Sequence, residues 1–265
     1  FVAGAISCKP GGSFRKEPEP NSFKATLSGR PFSGCKGLGL EYEVPKILPC
    51  GDQAVSIEFG DGIDPKINRK VLHLFDRLRA RPIPGIKDLI PSYRSLLIQY
   101  EPLILSREEL EICIRQQLPG LGQVIFPERR IITIPVHYGG SFGPDLPEVA
   151  EYHGMTPSEV MALHSAVTYR VYMIGFSPGF PFLGGLDPRL HTPRKKSPRE
   201  KVPAGSVGIA DQQTGIYSLD SPGGWRVIGR TPVKLFDLSR EEPLLLVAGD
   251  RVLFQPITKN EFENY

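Results

Sequence analysis

The chain is 265 residues long, 40% apolar and 23% charged, with a net charge of +3, enough for one large domain or two modest ones. So small a positive excess gives no reason to expect nucleic acid as a partner, and no window approaches the ~18 uninterrupted apolar residues of a membrane span. Cys8, Cys35, Cys50 and Cys113 lie far apart without a CxxC pair, so nothing suggests a zinc ribbon or redox dithiol, and we expect a cytoplasmic protein with free thiols and no bound metal.

Residues 1–43 are rich in Gly, Pro, Ser and Lys. They bury too little apolar surface to offset the entropy of ordering, and are expected to form a flexible or non-native N-terminal extension. The opening FVAGAISC lacks the basic n-region of a secretory signal. From Val44 the pattern changes. ILPCGDQAVSIEFG (47–60) alternates like a strand, and DPKINRKVLHLFDRLRA (64–80) predicts a helix. Its N-cap is Asp64, Pro65 lies in its first turn, and Ile67, Val71, Leu74 and Leu78 follow one face. His73 on this helix reads as surface or core edge. IKDLIP and RSLLIQYE are strand-like, and SREELEICIRQQL (106–118) is a second helix opened by a capping box of Ser106 and Glu109. Residues 44–130 therefore predict a small α+β domain of two helices on an antiparallel sheet.

Beyond the linker GLGQVIFPERR, residues 131–260 predict a second domain that is mainly β. RIITIPVHYG is a strand, TPSEVMALHS a short helix capped by Thr156 and Glu159, and VTYRVYMIG a strand again. SVGIA, GIYSLD, WRVIGR, VKLFDL, PLLLVAGD and RVLFQPI then read as short strands divided by Gly and Pro, a texture that argues for a β-barrel or sandwich. Between them runs GFSPGFPFLGGLDPRLHTP (175–193). Its prolines fix φ and its glycines allow turns, so neither a regular helix nor a central strand is expected there. Phe176, Phe180 and Phe182 have to pack somewhere: under the loop or on a partner. KVPAGSVGIADQQTGIY and DSPGGWRVIGRTP share this grammar, and Trp225 stands near Arg226 and Arg230, where an Arg beside an aromatic plane can hold a planar carboxylate or amide. The basic run TPRKKSPREK is either an anion-facing lip or a solvated loop. His137, His153 and His164 have the pKa range of an acid or base, although His164 sits in a helix where a core role is natural. There is no GxxxxGK[ST], HExxH or nucleophile elbow.

The stretches GFSPGFPFLGGLDPRL, TPRKKSPREKVPAGSVGIADQQTGIY and SPGGWRVIGRTPVKLFD, in this order, resemble the family that holds the B subunit of 5-oxoprolinase, the kinase inhibitor KipI and allophanate hydrolase subunit 1. The family also matches part of the carboxyltransferase domain of urea carboxylase. The resemblance runs, more weakly, through LPCGDQAVSIEFG and PVHYGG and covers roughly residues 44–258. It implies an α+β domain followed by a cyclophilin-like β-barrel. It also implies a non-autonomous subunit of an ATP-dependent lactam hydrolase that opens 5-oxo-L-proline to L-glutamate. The partners would be a C-subunit homologue (KipA- or PxpC-like) and an A-subunit homologue (LamB- or YcsF-like), with ATP held by the complex or by this chain. One wall of a shared site would then fall on Phe180, Arg194, Arg199, Gln213, Ser221, Gly223, Gly224, Trp225 and Arg230, with His137, His164 and Arg230 as catalytic candidates. A second reading, by analogy with KipI, is an inhibitor whose apolar loop docks on a sensor histidine kinase. A third is the carboxyltransferase half of a urea-carboxylase- or allophanate-hydrolase-like enzyme. That reading needs a biotinyl carrier on another chain, because Met155, Met161 and Met173 have no adjacent lysine and no biotin is expected here.

Overall fold

The structure, a computed structural model, describes residues 40–123 and 130–265. Residues 1–39 of the expected extension and 124–129 of the linker lie outside the described residues. Val55, Ile57 and Phe59 alternate on one face of a strand, and that buried face organises the first half. Strand β1 (Glu41–Pro49) pairs antiparallel with β2 (Ala54–Gly60), so the first strand opens at Glu41, inside the expected extension. The stretch 47–60 is thus the closing arm of one strand, a turn through Gly51 at φ 72, and a second strand. Helix α1 (Pro65–Ala80) starts as expected: the Asp64 carboxylate accepts the Lys66 and Ile67 amides at 2.6 and 3.3 Å. After β3 (Ile86–Pro91) and β4 (Ser95–Tyr100), α2 (Arg107–Gln117) opens on the Ser106–Glu109 capping box. The sheet order is β1-β2-β4-β3, and Ile67, Val71, Leu74, Leu110 and Ile114 close over its Val55, Ile57, Leu96 and Ile98.

A closed barrel follows. Its strands are β5 (Ile131–Tyr138), β6 (Thr168–Ile174), β7 (Pro181–Gly184), β9 (Ser206–Ala210), β10 (Gln213–Ile216), β12 (Arg226–Arg230) and β13 (Arg251–Pro256). They close in the order β10-β7-β6-β13-β5-β12-β9, with β13 parallel to β5. Helices α3 (Leu146–Tyr152) and α4 (Pro157–Ser165) pack on the barrel core, and α5 (Lys259–Glu263) ends the chain. A separate ribbon joins β8 (Arg199–Val202) to β11 (Ser221–Gly223). The α+β architecture with a β-barrel is as expected, with four local differences. β7 lies within the Gly/Pro-rich stretch and pairs on both sides, with β6 and β10. Pro181 is tolerated as its first residue, where a missing donor costs least. GIYSLD contributes only its first two residues to β10. VKLFDL and PLLLVAGD form no strand, only the isolated bridge Phe236–Leu244. Among the described residues no helix is long and apolar enough to cross a membrane.

One carboxamide ties sheet to barrel. Asn68, fully buried on α1, shares its two Nδ2 protons among the carbonyls of Ser92 (3.1 Å), Tyr93 (3.3 Å) and Tyr172 (3.2 Å). Its Oδ1 accepts from Arg170 Nε at 3.2 Å. Because removal strips partners from several buried groups, Asn68→Ala is expected to cost about 3 kcal/mol. Urea unfolding should show a lower midpoint at unchanged slope; a loss under about 1 kcal/mol would contradict the bridge.

Candidate aromatic-floored site on the barrel wall

Leu183, Ile216 and Thr214 face the barrel interior, so their neighbours Phe182 and Gly215 face outward. On that outer wall Gly215 of β10 is the register partner of Gly208 of β9. Two absent side chains leave a flat patch, and Trp225 fills it: a Cβ on Gly215 would lie 2.9 Å from Trp225 Cζ3, and one on Gly208 3.1 Å from Trp225 Cβ. Around Trp225 a second apolar cluster forms outside the barrel. Phe180 meets Trp225 edge-on at 5.4 Å between ring centroids and Tyr217 at 5.3 Å, while Phe182 lies 4.8 Å from Phe180. The expected Phe180 and Trp225 are therefore brought together, but as buried floor. Phe176 instead stays 66% exposed, at φ 68.

The polar candidates divide by how firmly they are engaged. Arg199 donates two bonds to Asp145 at 2.7 and 2.8 Å. Asp145, which carries no signal in the sequence pattern, is buried and also accepts Lys195 Nζ at 3.1 Å and the Val227 amide at 2.7 Å. Burial works to raise the Asp145 pKa, and Arg199, the Val227 amide and Lys195 outweigh it, holding the carboxyl below its usual range. Glu148 of α3 pairs with Lys195 at 3.2 Å and with Arg226. The basic run is thus partly an internal clamp: Lys195 and Arg199 bind the segment before α3. Arg194 differs. Its guanidinium lies 5.9 Å from the Trp225 ring and 3.4 Å from exposed Asp211. An exposed pair of this kind is worth about 0–1 kcal/mol, so Arg194 can exchange Asp211 for another carboxylate at little cost, whereas Arg199 cannot leave Asp145. Gln213 opens β10 half-buried in the same corner, close to the Tyr93 ring of the β3–β4 turn.

The remaining candidates hold the ribbon or lie apart. Ser221 Oγ donates to Leu219 O at 3.3 Å, a Cβ on Gly223 would strike Tyr217 Oη, and the Gly224 carbonyl accepts the Lys195 amide at 2.8 Å. His137 and Arg230 are register partners on β5 and β12. His137 Nδ1 bonds the Ile257 carbonyl at 3.0 Å, and Arg230 Nε donates to Ala204 O at 2.8 Å. Four residue steps along β12 carry the chain from Arg226 to Arg230, about 13 Å, so this pair stands at the other end of β12 from the aromatic floor. His153 bonds Thr192 Oγ1 at 3.0 Å. His164 is core: the Thr214 hydroxyl donates to Gly208 O at 2.9 Å, so it accepts His164 Nε2–H at 2.9 Å, and Nδ1 accepts the Tyr138 hydroxyl at 2.8 Å. Full burial pushes His164 down to about 3, a neutral staple linking β5, α4, β10 and β9 and not an exposed acid or base.

The family described as carboxyltransferase domain, subdomain C and D, matches residues 45–246. The chain belongs to this family. Among its carboxyltransferase-domain relatives, a Bacillus subtilis protein named as the B subunit of 5-oxoprolinase is 41% identical over 86% of this chain and 98% of its own length. An Escherichia coli protein of the same name is 42% identical over 78% of this chain and 93% of its own. The solved structure of TTHA0988 superposes with a TM-score of 0.70 at 43% identity, covering 78% of this chain. The chain spans 40% of that longer neighbour.

Within this carboxyltransferase-family barrel, Asp145 carries the sharpest electrostatic expectation. Asp145→Asn leaves Arg199 without its anion and Lys195 with Glu148 alone, and is expected to cost about 3 kcal/mol at neutral pH. The folded pKa of Asp145 is depressed, so its contribution is complete above the unfolded pKa and is lost as pH falls through the folded one. The stability gap between wild type and variant, from denaturant unfolding, should therefore narrow in acid. An equal gap at neutral and acid pH would contradict the pairing.

Proposed function

We propose that the chain is the B-type subunit of an ATP-dependent 5-oxoprolinase, working with C-type and A-type subunits to open 5-oxo-L-proline to L-glutamate. The observation that carries this reading is its 41% identity to the Bacillus subtilis 5-oxoprolinase polypeptide across 98% of that relative's length. The corner on the barrel wall suits the substrate. A five-membered lactam offers an apolar ring, a carboxylate, and an amide whose N–H and C=O lie on one edge. Phe182, backed by buried Trp225, supplies a floor for the ring, the exchangeable Arg194 a fork for the carboxylate, and Gln213 a carboxamide oxygen that can accept from the lactam N–H. In this reading the lactam oxygen attacks the γ-phosphorus of ATP and ADP departs. Water then adds to the activated carbon, the ring C–N bond breaks, and phosphate leaves. The chain's own part is to bind and orient the lactam while partner subunits supply the opposite wall. The longer chain of TTHA0988, of which this fold is 40%, supports a barrel that works beside further polypeptide.

Glutamate release from 5-oxoproline and ATP tests the reading, with this chain alone, its partner subunits alone, and the complete mixture. Release only from the complete mixture is expected. Arg194→Ala should raise KM for 5-oxoproline about tenfold or more, the worth of one charged hydrogen bond. A complete, folded and associated mixture that releases no glutamate would contradict the proposal.

A further inference from the structure

Tyr93 lies in the turn between β3 and β4, outside every stretch that the sequence singles out, yet it reaches the candidate site. Asn68 fixes its backbone through the carbonyls of Ser92 and Tyr93. Its ring is wedged between Tyr172, 5.7 Å away at 40°, and Phe182, 5.8 Å away and edge-on, both projecting from the outer wall of the barrel. Gly184 makes room for this wedge, since a Cβ there would meet Tyr172 Cε2 at 2.2 Å. The result is a hydroxyl delivered by the sheet to the same corner as Gln213 and Arg194.

That hydroxyl is anomalous. Buried polar atoms are nearly always hydrogen-bonded, and among the described residues Tyr93 Oη is the buried side-chain oxygen or nitrogen without a partner. Burial pushes its pKa up, and the Gln213 side chain, close enough to pull it slightly back, does not make a hydrogen bond of ordinary geometry with it. The group is therefore a neutral phenol whose proton has only the Gln213 side chain near it and no hydrogen bond of ordinary geometry.

We propose that Tyr93 is a substrate-binding residue whose hydroxyl donates a hydrogen bond to one lone pair of the lactam oxygen, leaving the other for the attack on phosphorus, so that the α+β sheet, and not the barrel alone, recognises the ligand. This inference rests on the 5-oxoprolinase reading. With Arg194 on the carboxylate and Gln213 on the lactam N–H, Tyr93 on the oxygen adds a third fixed point, and three points over one aromatic floor distinguish the enantiomers of the ring. Neither the aromatic floor nor the clamp on Asp145 needs the hydroxyl.

The test is Tyr93→Phe in the complete assembly, followed by glutamate release and by thermal unfolding of the variant chain. A buried hydroxyl without a hydrogen bond of ordinary geometry adds nothing to the fold, so the variant's Tm should equal or exceed that of wild type. KM for 5-oxo-L-proline should rise about tenfold, with kcat within about twofold. A variant that melts lower would show the hydroxyl serving the fold, and an unchanged KM would show it not touching substrate; either overturns the proposal. An active wild-type assembly with an unaffected variant removes the role of Tyr93 alone. An inactive wild-type assembly removes the oxoprolinase reading and this inference with it.

Discussion

Two glycines facing each other across β9 and β10 set the terms for everything outside the barrel. Gly208 and Gly215 are register partners, and their missing side chains let an indole lie against the barrel wall at van der Waals distance. Any larger residue at either position would lift Trp225 outward, taking Phe180, Phe182 and Tyr217 with it, because those rings pack on one another. The aromatic floor, the ribbon of β8 and β11 beside it and the polar corner at its edge all depend on that close approach. Fully burying an aromatic side chain contributes roughly 1.5–3 kcal/mol, so this outer layer is a second small core.

Electrostatics then sort the basic residues around the floor. Asp145 lies where burial would penalise a bare carboxylate by several kcal/mol, about as much as its partners must return. Arg199, Lys195 and the Val227 amide supply that return and are committed by it. The ion pair of Arg194 with Asp211 is exposed, and water and salt weaken it. The same basic run therefore holds both fasteners and adjustable groups, Arg194 among them. The proposed binding and release of a small anion would call for the second kind, held steady by the first.

Much of the fold was legible because its signals are local. The capping boxes at Ser106 and Thr156, the Asp64 cap and the stripe of Ile67, Val71, Leu74 and Leu78 each lie within a few turns of helix. Legibility ended where tertiary pairing overrode local texture. β7 stands among glycines and prolines but is held by neighbours on both sides, and the apolar run PLLLVAGD resembles a strand yet forms none. Helix α3 follows a Gly- and Pro-rich turn and has only seven residues, too few for a helical period to stand out. The site was legible in part. Trp225, Phe180, Gln213 and Arg194 fell in stretches whose Gly/Pro pattern marked them. Asp145 lies 54 residues from Arg199, and in the structure it stands at the start of α3 without its carboxylate making a cap bond. Nothing in the PSYRS turn signals that Tyr93 meets a barrel strand some ninety positions on, Phe182, edge to face.

The central claim is that the Gly208–Gly215 patch seats Trp225 and thereby builds the candidate site. Trp225 is the chain's one tryptophan, so its fluorescence reports directly. The decisive measurement is the emission maximum and acrylamide quenching of Gly215→Ala against wild type, with Gly224→Ala, where a Cβ meets only ordinary contacts, as control. The account predicts a red-shifted, more readily quenched indole in Gly215→Ala and wild-type emission in the control. Unchanged emission and quenching in Gly215→Ala would contradict it.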